Sequence, residues 1–122
     1  MAICVVDTVS ALSPKSQGLW VFCGSHGGTN AAKHALGFRP AGVVFNDAGV
    51  GKDGSGIAGL TLLDRYDIPA AAVDTWTARI GDGSETLNCG VISHVNATAT
   101  KLGIKTGMTC RDVLCLVEAC LS

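Results

Sequence analysis

The sequence has no run of eighteen apolar residues, no cluster of lysines or arginines and no CxxC pair, although six of its 122 residues are cysteines. The first absence excludes a membrane-spanning helix, and the second argues against nucleic acid as a partner. Without CxxC spacing, the cysteines are better explained as reduced packing residues than as a redox or metal-binding set. We therefore expect no membrane and no nucleic acid among the partners.

Charge is scarce as well. Nine basic residues face ten acidic residues, and only 16% of the chain is charged. Such a thin polar surface on a small protein predicts that apolar surface is buried between subunits, so we expect a homo-oligomer. The first seven residues lack the basic segment and apolar core of a signal peptide, which favours a cytoplasmic location. The length and the 48% hydrophobic content predict a single domain over residues 1–122.

Apolar runs and helical periodicity alternate along the chain. Four short runs lack strict alternation, as strands that are buried on both faces do; they are Ala2–Asp7, Leu19–Cys23, Gly42–Asn46 and Ala70–Asp74. Helical patterns follow at Thr29–Leu36, Gly56–Tyr66 and Val91–Leu102. A last helix is predicted to begin at Thr109, where Asp112 completes a capping box.

This alternation predicts a three-layer α/β fold. We expect a mostly parallel sheet of about four strands with helices on both faces, Rossmann-like or flavodoxin-like in arrangement. The connection over residues 8–18 has room only for a short helical turn. The first strand, which we place at an edge, could therefore run either parallel or antiparallel to the second.

Glycine-rich loops follow three of the predicted strands. They are Gly24–Asn30, Asn46–Gly56 and Asp74–Ser84, and they hold most of the polar side chains that could do chemistry. Ligands of open α/β sheets bind beyond the carboxyl ends of the strands. We therefore expect the three loops to form one cleft for a small-molecule ligand.

Four residues are candidates for catalysis: His26, Asp47, Ser25 and His94. Histidine exchanges protons near neutral pH, and a carboxylate at the end of a strand is a common acid or base. The alternatives are a surface position for His26 and a helix-capping turn for Asp47. Ser25 and His26 are adjacent in a turn without a GxSxG elbow, so they do not form a nucleophile and base pair by themselves.

His94 and Asn96 are predicted to open the helix at Val91–Leu102. The two cannot point to one spot from that helix, so one serves the site and the other faces solvent or caps the helix. We favour His94 for the site.

A second group of residues is predicted to bind the ligand. Backbone amides in glycine turns and at a helix start attract anions, and a planar guanidinium clamps a carboxylate or phosphate. For Arg79, a salt bridge to Asp82 or Asp47 is an equal alternative. The group comprises Gly24, Gly27, Gly28, Thr29, Asn30, Asn46, Lys52, Arg79 and Asp82.

We predict no cofactor and no metal. The segment Gly49–Gly54 matches GxGxxG as a string, but it does not lie in the first strand-to-helix turn, and Asp53 inside it would repel a phosphate. A metal site would require His26, His94, Asp47 and Asp82 to meet, and the sequence has no HxxxH spacing.

The sequence contains the segments GSHGG, VVFNDAGVGKDGSGIAGLTLLD, TARIGDG and GVISHVN, which are spread over residues 24–96. In these segments the sequence resembles a family of small bacterial α/β proteins that share GSHGG, NDAG, ARIGD and SHxN and whose activity is uncharacterised. The resemblance implies a common fold and a common site. It implies no reaction.

From the residues we predict a small enzyme that acts on a small, polar, anionic metabolite by acid–base chemistry, as a hydrolase or as an isomerase or lyase. His26 and Asp47 would transfer protons, and Arg79 and Lys52 would hold the anion. The alternative is a non-catalytic module or regulatory subunit that binds a metabolite or nucleotide in the same cleft. A third interpretation treats the glycines as tight turns and the polar residues as caps of a structural protein.

Overall fold

The computed structural model describes residues 3–121, without the side chains of residues 52 and 119–121. Its centre is a five-stranded sheet in which each strand lies beside the next in sequence. Strands β1 to β4 are parallel, and β5 runs antiparallel to β4. The strands are β1 (Ile3–Val6), β2 (Trp20–His26), β3 (Gly42–Asn46), β4 (Ala70–Val73) and β5 (Ile92–Val95).

Five helices cover the sheet: α1 (Thr29–Leu36), α2 (Ala58–Asp64), α3 (Gly83–Cys89), α4 (Ala97–Lys101) and α5 (Cys110–Leu121). Alternate residues of the strands face opposite sides. Val21, Val43 and Ala70 pack on one side with α1, α2 and the segment around Val9. The neighbouring strand residues pack on the other side, against residues of α3, α4 and α5.

The sequential strand order explains these layers. Parallel crossovers are right-handed, so strands that advance in one direction place all their connections on one face. The connections between β1 and β4 therefore share a face, and only the chain after β4 crosses to the other. This order differs from the Rossmann order 3-2-1-4-5-6 and the flavodoxin order 2-1-3-4-5, both of which reverse direction within the sheet.

The predicted α/β class is confirmed, and the structure resolves the direction of the first strand. β1 lies at the edge and pairs with β2 in parallel, with Cys4 beside Val21. Two short 3-10 turns, Val9–Ala11 and Pro14–Ser16, form the connection. The side chains of Thr8 and Ser13 cap these turns. The antiparallel alternative for the first strand was wrong.

The number of strands and one helix must be corrected. We expected about four strands and a helix over Val91–Leu102, whereas this segment contains β5, a break at Asn96 and the short helix α4. Pairing with β4 outweighs the helical pattern, since Val95 lies opposite Ala71 in the sheet. Asn96 ends the strand and accepts a hydrogen bond from the Ala99 amide as the cap of α4.

Within residues 3–121, the structure holds no helix of sufficient length and apolar character to cross a membrane.

Candidate active site

β2 extends to His26, so Gly24, Ser25 and His26 belong to the strand and not to the loop predicted to begin at Gly24. The Gly24 amide donates to the Asp7 carbonyl at 3.1 Å, and the Gly24 carbonyl accepts from the Gly81 amide at 2.8 Å. A Cβ atom on Gly24 would lie 2.3 Å from the Asp82 nitrogen. Gly24 is therefore required for close packing between β2 and the segment that follows β4.

Ser25 has a structural contact. Its hydroxyl oxygen accepts a hydrogen bond from the Val9 amide at 3.0 Å. This bond ties the 3-10 turn after β1 to the end of β2. The Ser25 hydroxyl thus has a structural role.

His26 lines a cavity of about 490 Å³ beyond the end of β2. The first turn of α1 forms one side of the cavity, and the N-cap residue of α1, Gly28, provides no side-chain hydrogen bond to the helix. A Cβ atom on Gly28 would lie 2.8 Å from His26 Nε2, so the imidazole rests on this glycine. The other lining residues are Thr29, Asn30, Asp53, Ser55 and Ala58.

Asp47 lies at the end of β3 and is almost completely buried, with its side chain 7% exposed. Its Oδ1 accepts hydrogen bonds from the Gly49 amide at 2.8 Å and the Thr75 amide at 3.1 Å. Its Oδ2 accepts the Ser93 hydroxyl at 2.7 Å. The carboxylate is therefore fixed by three donors from three segments of the chain.

Ser93 connects Asp47 to His94. The Ser93 Oγ lies 2.9 Å from His94 Nδ1, whereas His94 Nδ1 and Asp47 Oδ2 are 4.0 Å apart. The His94 side chain is 35% exposed, so its ring reaches solvent while Asp47 is buried more deeply. We call Asp47, Ser93 and His94 the relay.

A β-bulge brings the relay together. His94 lies opposite Ala72 and Ile92 opposite Val73, so Ser93 is an extra residue in β5. In a regular strand, neighbouring side chains point to opposite faces, but a bulge changes where they point. This irregularity allows Ser93 and His94 to meet each other. Bulges are frequent next to active sites.

The loop after β3 links the relay to the cavity, since Asp47 begins it and Ser55 lies near its end. The loop has an unusual backbone, with positive φ at six of the seven residues 48–54. Val50 has φ +70°, which is a true outlier for a β-branched side chain. Its amide donates to the Asp47 carbonyl at 2.6 Å and its carbonyl accepts from the Gly56 amide at 2.6 Å.

Asn46 and Asp82 serve mainly to build the site. The Asn46 amide donates to the Ala78 carbonyl at 2.9 Å, and its Oδ1 accepts from the Ala48 amide at 2.8 Å. Asp82 caps α3 by accepting the Glu85 amide at 3.0 Å. These bonds account for the polarity of both side chains.

Arg79 and Lys52 are the two cations predicted to hold an anion, and the structure describes the side chain of Arg79 but not that of Lys52. Arg79 is exposed, and its backbone amide donates to Glu85 Oε1 at 3.0 Å. Lys52 belongs to a 3-10 turn, Lys52–Gly54, and its side chain lies outside the described part of the structure. Gly27 is buried where the loops after β2 and β3 meet, since its Cβ would lie 2.9 Å from the Gly56 carbonyl oxygen.

The predicted residues therefore collect at one edge of the sheet but in two places. His26 is in β2 and His94 is in β5, three strands away, and strands lie about 4.8 Å apart, which separates their backbones by about 14 Å. His26 lines the cavity, whereas His94 is part of the relay. Asp47 and His94, predicted from separate segments, lie next to each other.

Sequence reasoning missed Ser93 as a site residue. Its hydroxyl stands beside His94 in the chain, but a helical interpretation of Val91–Leu102 would direct the two side chains apart. The available signal was the polar pair Ser93-His94 between the apolar residues Ile92 and Val95, and all four residues lie in β5. Among the described residues, no cluster of three or more His, Cys, Asp or Glu side chains could hold a metal ion.

The fold and site together define a three-layer α/β protein with a His-Ser-Asp relay at the carboxyl edge of its parallel strands. Comparisons of the chain with family models, curated proteins and solved structures found no significant match. The family resemblance of the sequence segments remains a prediction.

Proposed function

We propose that this protein is a small enzyme that performs acid–base chemistry on a small, polar, anionic metabolite at the carboxyl edge of its sheet. The relay is the observation that carries the proposal. A partly exposed imidazole is joined through one hydroxyl to a buried carboxylate, and such a carboxylate can orient the ring and stabilise its charged form. His94 is the proton-transfer residue in this proposal, with Asp47 behind it.

The anionic character of the substrate is supported by the loop after β2. The first turn of α1 lines the His26 cavity without a side-chain cap, and backbone N–H groups at a helix start favour anions, whereas the Asp53 carboxylate in the same lining opposes them. Arg79, which is exposed, is the cation proposed to assist there. The loop that begins at Asp47 and includes Ser55 joins this cavity to the relay.

The strained loop after β3 supports the same location. Residues in unfavourable backbone conformations persist where the surrounding structure determines them, and they concentrate at active sites. The Val50 conformation lies within three residues of Asp47.

The test begins with a thermal-shift screen of the protein against small carboxylates and phosphates. A ligand present at 100 times its dissociation constant stabilises the fold by about 2.7 kcal/mol. Ligands that raise the melting temperature are then incubated with the protein and followed by NMR for conversion. We expect at least one of them to be converted by the wild type.

The His94→Gln variant tests the role of the imidazole. The ring is partly exposed, so its replacement leaves the core intact. We expect it to keep the wild-type melting temperature and to lose at least 100-fold in turnover. His34→Gln, which changes an exposed histidine of α1, is the control and should retain activity. A ligand that stabilises the protein but is never converted would favour the binding module over the enzyme.

We also propose that the enzyme is a cytoplasmic homo-oligomer. Trp76 is 91% exposed and Ile80 is 49% exposed, and both lie in the segment between β4 and α3. Cys4, Cys23, Cys89, Cys110 and Cys115 are all free, which suits a reducing compartment. Sedimentation at micromolar concentration tests the assembly, and a monomeric mass would refute it.

A further inference from the structure

We propose that Ser93 is a positioning residue that holds His94 in the tautomer with its proton on Nδ1. The Nε2 atom then carries the free lone pair and accepts the proton of the substrate. Only this last step rests on the proposed function, because the tautomer is a property of the folded protein by itself.

The argument is a count of protons around the Ser93 hydroxyl. A serine hydroxyl has one proton to donate and can accept through its lone pairs. Two of its three polar neighbours, Asp47 Oδ2 at 2.7 Å and the Ala72 carbonyl at 3.3 Å, are acceptors. The carboxylate is the closer and the stronger of the two, so the hydroxyl proton is directed to Asp47.

The third neighbour must then be a donor. His94 Nδ1 lies 2.9 Å from the Ser93 oxygen. The hydroxyl proton points to Asp47. If Nδ1 were unprotonated, its lone pair would therefore face the lone pairs of the Ser93 oxygen, and the two atoms would repel each other. A protonated Nδ1 donates to Ser93 instead, and the tautomer of a histidine is set by the hydrogen bond that one of its nitrogens makes.

Asp47 acts only as a hydrogen-bond acceptor. Its other oxygen, Oδ1, already accepts the backbone amides of Gly49 and Thr75. The bonding pattern of the relay therefore has one consistent direction, in which Nδ1–H donates to Ser93 and the Ser93 hydroxyl donates to Asp47.

This order of residues distinguishes the relay from a nucleophilic triad. In the Ser-His-Asp triad the histidine lies between the serine and the carboxylate, and it removes the serine proton. Here the serine lies between the other two, and His94 Nδ1 is 4.0 Å from the carboxylate. Ser93 is thus a donor to Asp47 rather than an activated nucleophile. When Nε2 takes a proton, the buried carboxylate stabilises the imidazolium through the Ser93 hydroxyl.

The test is ¹⁵N NMR of the intact protein with labelled histidine, at a pH where imidazole side chains are neutral. The His94→Gln variant identifies the signals of His94 among the three histidines. We expect Nδ1 of His94 to appear protonated and Nε2 to appear unprotonated. A wild-type spectrum with the proton mainly on Nε2 would overturn the proposal, whatever the activity of the protein.

Three variants separate the positioning role from a merely structural one. Ser93→Ala should shift His94 towards the Nε2–H tautomer that imidazole prefers in water, and Ser93→Thr, which keeps the hydroxyl, should restore the Nδ1–H form. Ser84→Ala, at an exposed serine of α3, should leave the spectrum unchanged. If Ser93→Ala is folded by its amide spectrum and keeps the wild-type tautomer, Ser93 does not position the ring.

The enzyme assay adds a separate measurement. With a substrate identified, Ser93→Ala should lower kcat by 10- to 100-fold with little change in KM, and Ser93→Thr should recover most of the loss. A serine-directed fluorophosphonate should not label Ser93, and its labelling would contradict the assigned order. If the tautomer result is positive and no substrate is ever converted, the positioning role of Ser93 stands and the proposed function fails.

Discussion

The side-chain amide of Asn46, at the end of β3, donates a 2.9 Å hydrogen bond to the backbone carbonyl of Ala78, thirty-two residues later in the chain. Asn46 is completely buried and Ala78 is 2% exposed. The bond fastens the segment that carries Arg79 to the centre of the sheet. The residue next to Asn46 is Asp47, so the same strand end holds this segment and the relay.

Replacing Asn46 with alanine should therefore lower the free energy of unfolding. The change leaves the buried Ala78 carbonyl without its partner, which costs about 1–3 kcal/mol, and it also removes the bond to the half-buried Ala48 amide. Urea denaturation measures the loss, and hydrogen exchange should show faster exchange in residues 77–82. Asn88→Ala, at an exposed position on α3, is the control and should change stability by less than about 1 kcal/mol. Equal losses in the two variants would contradict the role of Asn46.

Gly24→Ala is expected to be among the most damaging small substitutions. The added methyl carbon would lie 2.3 Å from the Asp82 nitrogen and 2.7 Å from the Asp7 carbonyl oxygen, and both are backbone atoms. Because backbone cannot move aside cheaply, we expect a loss of more than about 3 kcal/mol or a failure to fold.

The matched control for Gly24 is Gly37→Ala at the end of α1. Gly37 has φ −59° and a predicted Cβ contact of 3.4 Å to the His34 carbonyl, which alanine tolerates. We expect its melting temperature to stay within a few degrees of the wild type. A stable Gly24→Ala variant would show that the segment after β4 is not packed on β2 as described.

Asp64 should give the protein an acid-sensitive link between α2 and α4. Hydrogen bonds from the Thr98 hydroxyl at 2.7 Å and the Thr98 amide at 2.8 Å lower the pKa of the Asp64 carboxyl below its usual value. A carboxyl with a lowered pKa in the folded state stabilises the fold above its unfolded pKa of about 3.9, and this contribution disappears as the pH falls through the folded pKa.

The measurement is thermal unfolding between pH 2 and pH 7. Asp64→Asn should lower stability at neutral pH and flatten the loss of stability at acid pH. Thr98→Val, which removes the hydroxyl that contributes most to the shift, should have the same effect in part. Thr106→Val, at an exposed loop position, should follow the wild-type profile. An Asp64→Asn profile that is parallel to the wild type would exclude the link.

The cysteines should divide sharply in reactivity. Burial raises the pKa of the Cys23 thiol to about 12 and that of Cys110 to about 12. Cys89 and Cys115 are exposed. Because the thiolate is the reactive form, alkylation of the folded protein at pH 8 should modify Cys89 and Cys115 within minutes and leave Cys23 and Cys110 untouched. Peptide mass spectrometry locates the label, and the control is denatured protein, in which all six cysteines should be labelled.

Local signals in the sequence predicted much of the fold. β3 has its predicted bounds, Gly42–Asn46. The last helix begins with the predicted capping box, in which Thr109 and Asp112 exchange hydrogen bonds at 3.1 Å. Such signals depend on residues that are close in sequence, and for this reason the pattern reveals them.

The strand β5 could not be predicted in the same way. Its apolar spacing fits a helix, and its strand conformation depends on pairing with β4, about twenty residues earlier. Asn96 shows the same dependence. Its four side-chain hydrogen bonds reach Ala70, Ala99, Leu60 and Ile68, and three of these partners lie in other elements or loops. No local pattern encodes such a junction.

The sequence predicted that Asp47 and His94 belong to one edge of the sheet, but it did not predict how they contact each other. The structure places the two side chains 4.0 Å apart. Their link through Ser93 requires the bulge in β5, which is visible only once the partner strand is known. The separation of His26 from His94 likewise follows from strand order, which sequence patterns do not specify.

The packing of the segment between β4 and α3 against Gly24 of β2 affects how the chain folds. Each of β1 to β5 pairs with its neighbour in sequence, so the sheet can grow by adding one strand at a time as the chain emerges during synthesis. The bond from the Gly83 amide to Asp7 Oδ1, by contrast, spans 76 residues. Closing so long a loop is entropically costly, and contacts of this kind slow folding. Early folding intermediates should therefore contain a paired sheet in which the face that α3, α4 and α5 cover in the native fold is still exposed.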